Sequence, residues 1–430
     1  MTTNPFTFGK PINDPARFYG RKQEIRQIVN RLLSSAHEST SIVGERRIGK
    51  TSLLYYVSNP DVAAHLGLTP NKYCIVYIDF QGLTDITPQR FWQRVLAKMA
   101  RARCDEELAA RFQALAKQDT FDLFDLEDVF EIVGERGLNV ILLLDEFEYV
   151  TQNKNFGSDF FGGLRALAIH SPLSLVLATR RELVDLCYSD EIKGSPFFNI
   201  FANVVLRPFT RDESSELIDG TIKGTDISLT PEEKEFILSL GGGHPFFVQM
   251  AAHYMVEGKA QGQQADPLFA FVASQVDQQA DPHYTYLWSH CSESERITLL
   301  TIIALNRQKP SKATEPNLEN ITRLHARAQQ DMANLLKRGI LDQRGVLYSL
   351  FSPSFERWIK QEITTPPGKE ESEAKVDSWM KETGQEALHP VKGVLPQFKK
   401  KYWPLMATFL KEFSMKLAVQ GTIEVIKGLH

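Results

Sequence analysis

Cysteine is scarce: four in 430 residues, at Cys74, Cys104, Cys187 and Cys291, with no CxxC pair and no histidine at zinc-ligand spacing. That argues against a disulfide-stapled secreted scaffold and a cysteine-based zinc fold, and for free thiols in a reducing compartment. No uninterrupted apolar run is long enough to span a bilayer, and Met1-Thr2-Thr3-Asn4-Pro5-Phe6 lacks the basic-then-apolar order of a signal peptide. A cytoplasmic protein without integral membrane association is therefore expected. Positive charge is not in excess either: a formal net charge of −4 argues against indiscriminate nucleic-acid binding, although one local basic face remains compatible with it. No internal repeat is present.

What is present is an ordinary globular composition, 43% hydrophobic and 24% charged, in a chain long enough for two to four domains. Pro5, Gly9, Pro11 and Pro15 make the opening segment an extended arm. A helix follows over 23–33, with Ile25, Ile28, Val29, Leu32 and Leu33 at helical spacing. Short apolar runs with strand character come next, at 40–43, 73–79, 140–144, 173–179 and 204–206, separated by helical stretches. Strands alternating with helices imply a parallel sheet covered on both faces.

Gly44-Glu45-Arg46-Arg47-Ile48-Gly49-Lys50-Thr51 fits the phosphate-binding loop pattern in full, after the strand Ser41-Ile42-Val43 and before the helix that starts at Ser52-Leu53-Leu54. Glycines let successive backbone N–H groups and the helix N-terminus face anionic oxygens. The expected nucleotide-binding residues here are Gly44, Arg47, Ile48, Gly49, Lys50, Thr51 and Ser52. Lys50 places a charge at the β- and γ-phosphates, and the Thr51 hydroxyl ligates Mg²⁺. Arg46 and Arg47 are open between touching nucleotide and pairing with a nearby carboxylate.

Val140-Ile141-Leu142-Leu143-Leu144-Asp145-Glu146 is an apolar strand ending in two carboxylates, the form of a Walker B motif. Asp145 is the expected Mg²⁺ ligand and Glu146 the base that orients and deprotonates water, with Glu148 the second-ranked base. Thr179 and Arg180 close the strand 173–178, where Thr179 is a candidate to bond the terminal phosphate or lytic water and Arg180 to offset transition-state charge; a solvated arginine pair is the alternative.

With these motifs in place, Phe18-Tyr19-Gly20-Arg21-Lys22-Gln23-Glu24 resembles the hhGRxxE segment ahead of the P-loop in STAND ATPases, a branch of the AAA+ proteins. Gly243-His244-Pro245 is similar to the GxP turn of the STAND lid. The resemblance covers roughly residues 4–361. It implies Phe18, Tyr19 and Arg21 near the adenine or its supporting helix, and Pro245 as the lid residue that contacts the base or senses nucleotide state, with His244 weaker. It implies ATP and ADP as ligands with Mg²⁺, slow Mg-dependent ATP hydrolysis, a switch that assembles with ATP, and a role in prokaryotic defence or signalling. The repeat sensor and effector usual in such proteins are not recognisable here; the expected partner is a second copy of the chain or a separate effector or sensor protein, with the C-terminal segment as adaptor the alternative.

The expected fold is thus α/β: a parallel-sheet P-loop core of the ASCE/AAA+ class with its N-terminal arm (1–208), a helical lid (209–281), a winged helix (282–363), a linker (364–376) and a small α-helical C-terminal segment (377–430). Capping boxes at Thr210–Glu213 and Thr230–Glu233 mark helix starts in the lid, the second with Pro231 at the first helical position. Three helices followed by a hairpin turning at Arg344-Gly345 define the winged helix. Its third helix presents Arg327, Gln329, Gln330, Asn334 and Lys337, which opens a second function, duplex DNA binding; Glu293, Glu295, Asp331 and Asp342 weigh against it.

Overall fold

The computed structural model describes residues 3–102, 106–186, 196–306, 315–324 and 327–364. The linker and C-terminal helices expected over 364–430 lie, from residue 365 onward, outside the described residues, as do Cys104 and Cys187. The chain divides into two compact units, Met1–Ser228 with His244–Phe246, and Leu229–Gly243 with Phe247–His430.

The first unit is built on a five-stranded parallel sheet of β1 (Thr40–Val43), β2 (Tyr73–Asp79), β3 (Asn139–Asp145), β4 (Leu173–Thr179) and β5 (Ala202–Val205). The strand order is β2-β3-β4-β1-β5, so β4 lies between the P-loop strand and the acidic strand. This order explains the burial patterns. The inner strands β1, β3 and β4 are buried at every position, whereas edge strand β2 alternates and edge strand β5 is mostly half-open.

Alternate residues of one strand supply two cores. Val140, Leu142 and Leu144 pack with α4 (Pro88–Arg101), α5 (Glu106–Ala116), α6 (Leu123–Glu135) and α8 (Ser158–His170) on one face. Ile141 and Leu143 pack with α1 (Lys22–Leu32), α2 (Lys50–Ser58) and α3 (Pro60–His65) on the other. At about 1.5–3 kcal/mol for each large apolar side chain fully buried, a strand serving both faces stabilises both cores at once. Cys74, on β2, is disulfide-bonded, which corrects the expectation of four free thiols; Cys291 is a buried free thiol.

A four-residue helix α7 (Glu148–Thr151) follows β3, and α9 (Arg211–Ile222) follows β5. The first unit thereby takes in a helix that the sequence places with the lid. Thr210 and Glu213 form the capping box of α9, each side chain accepting from the other's backbone N–H.

In the second unit, α10 (Pro231–Gly241) starts at the Thr230/Glu233 capping box, and α11 (Pro245–Ala260), which belongs to this unit from Phe247 onward, and α12 (Ala265–Ser289) follow. Gly242 ends α10 in the left-handed region at φ 55°, where a Cβ would lie 1.9 Å from the Phe351 carbonyl oxygen, so only glycine fits. Then come α13 (Glu293–Asn306), α14 (Leu318–Leu324), α15 (Ala328–Lys337), the antiparallel pair β6 (Leu341–Arg344) and β7 (Leu347–Leu350), and α16 (Pro353–Thr364). Among the described residues no helix is long and apolar enough to cross a membrane.

Candidate functional site

The P-loop grows directly out of β1. Gly44 N–H donates to the Thr179 carbonyl at 3.1 Å, which ties the loop entrance to the end of β4. A Cβ on Gly44 would stand 2.8 Å from Ile48 Cγ2 and 3.1 Å from the Leu206 carbonyl oxygen, so the need for glycine there is steric. Gly49 has open space around it, and its φ of 105° makes the need conformational. Gly49 caps α2 with no side-chain hydrogen bond, which leaves the first-turn N–H groups uncapped by side chains at a helix N-terminus suited to an anion. The Lys50 side chain is buried and its Nζ donates to the carbonyls of Gly44 (2.8 Å) and Glu45 (3.2 Å), curling across the loop.

The N-terminal arm reaches the same loop. Ser52 Oγ accepts from Ile12 N–H at 3.0 Å, and Arg47 Nη1 donates to the Gly9 carbonyl at 3.1 Å while its guanidinium lies 5.4 Å from the centre of the Phe246 ring. Arg47 thus meets a carbonyl and an aromatic face instead of the carboxylate that was one of its two expected partners. Pro245 opens α11 between His244 and Phe246, all three within the first unit.

Asp145 ends β3 and is 1% exposed. Tyr77, on the neighbouring strand, donates its phenol to Asp145 Oδ2 at 3.0 Å, and Thr51 bonds the same carboxylate from α2. Burial raises the Asp145 pKa, while Thr51, Tyr77 and Lys50 pull it back. The Tyr77 phenol is pushed well above its ordinary value by burial and by the Asp145 charge, so it stays protonated as a donor. Glu146 leaves the strand at φ 53°, and its own N–H donates to Asp145 Oδ1 at 3.0 Å. Its carboxyl is pushed up to about 7, first by burial, then by the charges of Glu148 and Asp145 against the pull of Lys50 and Arg180.

Because the strand ends at Asp145, its alternation does not place Glu148. Glu148 instead opens α7, 1% exposed, and accepts from Arg180 Nε at 2.5 Å. Thr179 Oγ1 donates to the Arg181 carbonyl at 2.7 Å and so shapes the turn after β4. The strand ends bring Lys50, Asp145, Glu146, Glu148 and Arg180 into mutual electrostatic range around the P-loop.

Arg21 is 3% exposed and sits at φ 62°. Its Nη2 donates to the Ile48 carbonyl (3.0 Å), its Nη1 to the Arg207 carbonyl (2.7 Å) and to Glu24 (3.0 Å), and its backbone N–H to Glu213 (3.0 Å). Burial lowers its pKa, and the Glu24 and Glu213 charges offset that. Arg21 therefore holds the P-loop to the chain after β5 and to the start of α9. Phe18 stacks on Tyr56 of α2, ring centres 4.4 Å apart, and Tyr19 packs on α9 where a Cβ at Gly220 would meet its ring at 2.3 Å. Tyr77 and Ile12 were not picked out in the sequence, and Glu213 was picked out only as a capping residue, not as a partner of Arg21. Their bonds span 68, 40 and 192 positions, and no local pattern marks such pairs.

The residues present suit a nucleoside triphosphate with Mg²⁺. An uncapped helix N-terminus behind a glycine loop offers donors to phosphate, and the Thr51 hydroxyl beside the Asp145 carboxylate is an all-oxygen donor pair of the kind Mg²⁺ takes while keeping its other positions for water and phosphate.

Comparison with known proteins agrees with this geometry. No curated protein matches the chain. Among solved structures, a Walker-type ATPase of Pyrococcus abyssi is similar at TM-score 0.54 and 16% identity, over 82% of this chain and 99% of that one. The ORC2 protein of Aeropyrum pernix, solved in ADPNP–ADP complexes, is similar at TM-score 0.51 and 15% identity, over 85% and 99%. At such identities these likenesses establish the fold, a P-loop α/β core. The family model described as novel STAND NTPase 2 matches residues 21–307, two thirds of the chain, and the chain belongs to that family of P-loop NTPases.

Proposed function

We propose that the protein binds ATP and hydrolyses it slowly with Mg²⁺, as a molecular switch of the STAND type whose nucleotide state controls conformation and assembly. The observation that carries this reading is geometric: Asp145 and Glu146 leave the end of β3, Thr51 from the start of α2 bonds Asp145, and Lys50 lies buried across the P-loop. A general base needs an affinity for protons near the working pH, and burial with the negative charges of Glu148 and Asp145 raises that of Glu146.

In this reading Gly44, Ile48, Gly49, Lys50, Thr51 and Ser52 surround the phosphates, Arg47 closes the loop from the arm side, and Thr51 and Asp145 hold Mg²⁺. Bound Mg²⁺ supplies charge neutralisation on the phosphates. Glu146 orients and deprotonates water, Thr179 shapes the strand end, and Arg180 offsets charge on the leaving phosphate. Phe18, Tyr19 and Arg21 support the base-binding side, with Pro245 as the nucleotide-sensing residue of the lid. The output is assembly with further copies or with a separate effector or sensor, in the cytoplasm, as part of prokaryotic defence or signalling. Sizing the full chain with ADP, with ATP and as Glu146→Gln tests it: larger species with ATP and with the variant are expected, and a monomer in all three overturns assembly.

A second reading, duplex DNA binding through a winged helix formed by α13–α15 and the β6–β7 hairpin, is favoured by one observation. Asp331, the acidic residue of α15, is buried and accepts from Ser294 (2.6 Å) and Thr298 (3.0 Å), while Arg327, Gln329, Gln330 and Asn334 are exposed. The outer face of α15 is thus free of carboxylates. Salt-dependent retention on duplex DNA is expected if this reading holds, and no binding at low salt with ATP present ends it.

A further inference from the structure

Glu148 has two unusual properties at once. It is 1% exposed, and of its two carboxylate oxygens Oε1 accepts from Arg180 Nε at 2.5 Å while Oε2 is buried with no hydrogen-bond partner. A buried carboxylate bonded through one oxygen is held less well than one gripped by both prongs of a guanidinium, and each uncompensated buried oxygen is costly.

The turn that carries Glu148 is fixed. Phe147 is fully buried and its N–H donates to the Ala178 carbonyl at 3.1 Å, one residue before β4 ends at Thr179, so α7 is pinned to the strand that leads to Arg180. Glu148 has nowhere to go. Arg180 is the more open partner, with 29% of its side chain exposed, on a long flexible stem. Arg180 follows directly on Thr179, whose carbonyl accepts from Gly44 N–H at 3.1 Å at the P-loop entrance, and its own Nε donates to Glu148. Its stem therefore starts between two anionic positions, the buried Glu148 and the place the P-loop prepares for a terminal phosphate.

We propose that Glu148 is a positioning residue that competes with the terminal phosphate of the bound nucleotide for the Arg180 guanidinium. The inference rests on the nucleotide-switch reading above and deepens it. A triphosphate draws Arg180 away and leaves Glu148 buried and unpaired; a diphosphate, lacking the terminal group, leaves the pair intact. The cost of stranding Glu148 lowers ATP affinity in the natural protein, and in return the position of Arg180 reports whether the third phosphate is present. The device is an exchange of ion-pair partners, and no bond is made or broken.

The test is equilibrium titration of the full-length protein with ADP and with a non-hydrolysable ATP analogue, both with Mg²⁺, for the natural chain, Glu148→Gln, Arg180→Ala and the double variant. Glu148→Gln keeps the shape and removes the charge, so it is expected to tighten the analogue about five- to tenfold while ADP stays within about twofold. Arg180→Ala is expected to weaken the analogue and spare ADP, and the double variant to match Arg180→Ala, because without the arginine there is nothing to compete for. Weaker analogue binding in Glu148→Gln, equal shifts for both nucleotides, or additive effects in the double variant overturn the proposal. If Glu148→Gln does not unfold cooperatively, Arg180→Ala decides alone: equal losses for the two nucleotides overturn it. Lys50→Ala is the control for the underlying reading, since unchanged affinity for both nucleotides in that variant removes the P-loop site itself.

Discussion

The two halves of the candidate site are built by opposite means. The P-loop is made of backbone: six residues between Val43 and Lys50 turn on Gly44, Arg47 and Gly49, and what they present is a row of N–H groups and one buried lysine. The acidic side is made of side chains from separate elements: Asp145 from β3 meets Tyr77 from β2 and Thr51 from α2, and Arg180, after β4, meets Glu148 of α7, contacts that depend on how the strands line up. A loop of contiguous residues tolerates change outside its few special positions. A cluster assembled by register depends on every strand that supplies it, and its carboxylates carry the desolvation cost that pushes Glu146 up to about 7.

The largest effect that sharpens this contrast is chemical. Glu146→Gln is expected to lower turnover by about 10²- to 10⁴-fold with nucleotide affinity retained, the loss of a general base, and steady-state hydrolysis beside equilibrium titration checks the split. The same carboxyl gives the acidic side a pH signature. Glu146 accepts a proton only when ionised, so turnover rises as pH passes through about 7 and falls about tenfold per unit below it in the natural chain. A flat profile from pH 6 to 8, where chemistry limits the rate, breaks the assignment of Glu146 as base.

Next in size is Arg21→Ala. It strands Glu24 and unties the Ile48 and Arg207 carbonyls, at a cost of about 3 kcal/mol in denaturant unfolding. Gly49→Ala tests the backbone side. A left-handed φ of 105° with open space around it costs about 1–2 kcal/mol for a residue with a Cβ, with no steric clash to add. Smallest is Tyr77→Phe, which removes one donor to Asp145 for about 1 kcal/mol and should raise the Mg²⁺ concentration at half-maximal nucleotide binding several-fold. No change in Mg²⁺ dependence would leave Tyr77 a packing residue only.

Much of the first unit was legible because its signals are local. The strand at 40–43, the glycine loop and α2 adjoin in the sequence, and β3 reads as five consecutive apolar residues, Val140 to Leu144, because both of its faces are covered. The capping boxes at Thr210 and Thr230 were also legible, since a cap and its third residue are neighbours on any helix start. Glu148 ranked second as a base in the sequence, and its bond to Arg180 was not legible there, because the strand ends at Asp145 and the left-handed Glu146 leads into α7. Asp331 counted as surface charge until Ser294 and Thr298 were seen to enclose it. Cys74 gave no sign of its disulfide, because spacing alone does not identify partners.

By itself the sequence determined that this is a P-loop α/β protein with two acidic residues at the end of a buried strand, since glycine positions, apolar runs and caps act over a few residues. Only the tertiary structure decided which groups those acids meet. Strand order put β4 between the P-loop strand and the acidic strand, so Arg180 arrives beside Glu148, and register set Tyr77 against Asp145. Charges and donors separated by tens of residues interact at a few ångströms, and their pairing follows from how the sheet closes rather than from any pattern along the chain.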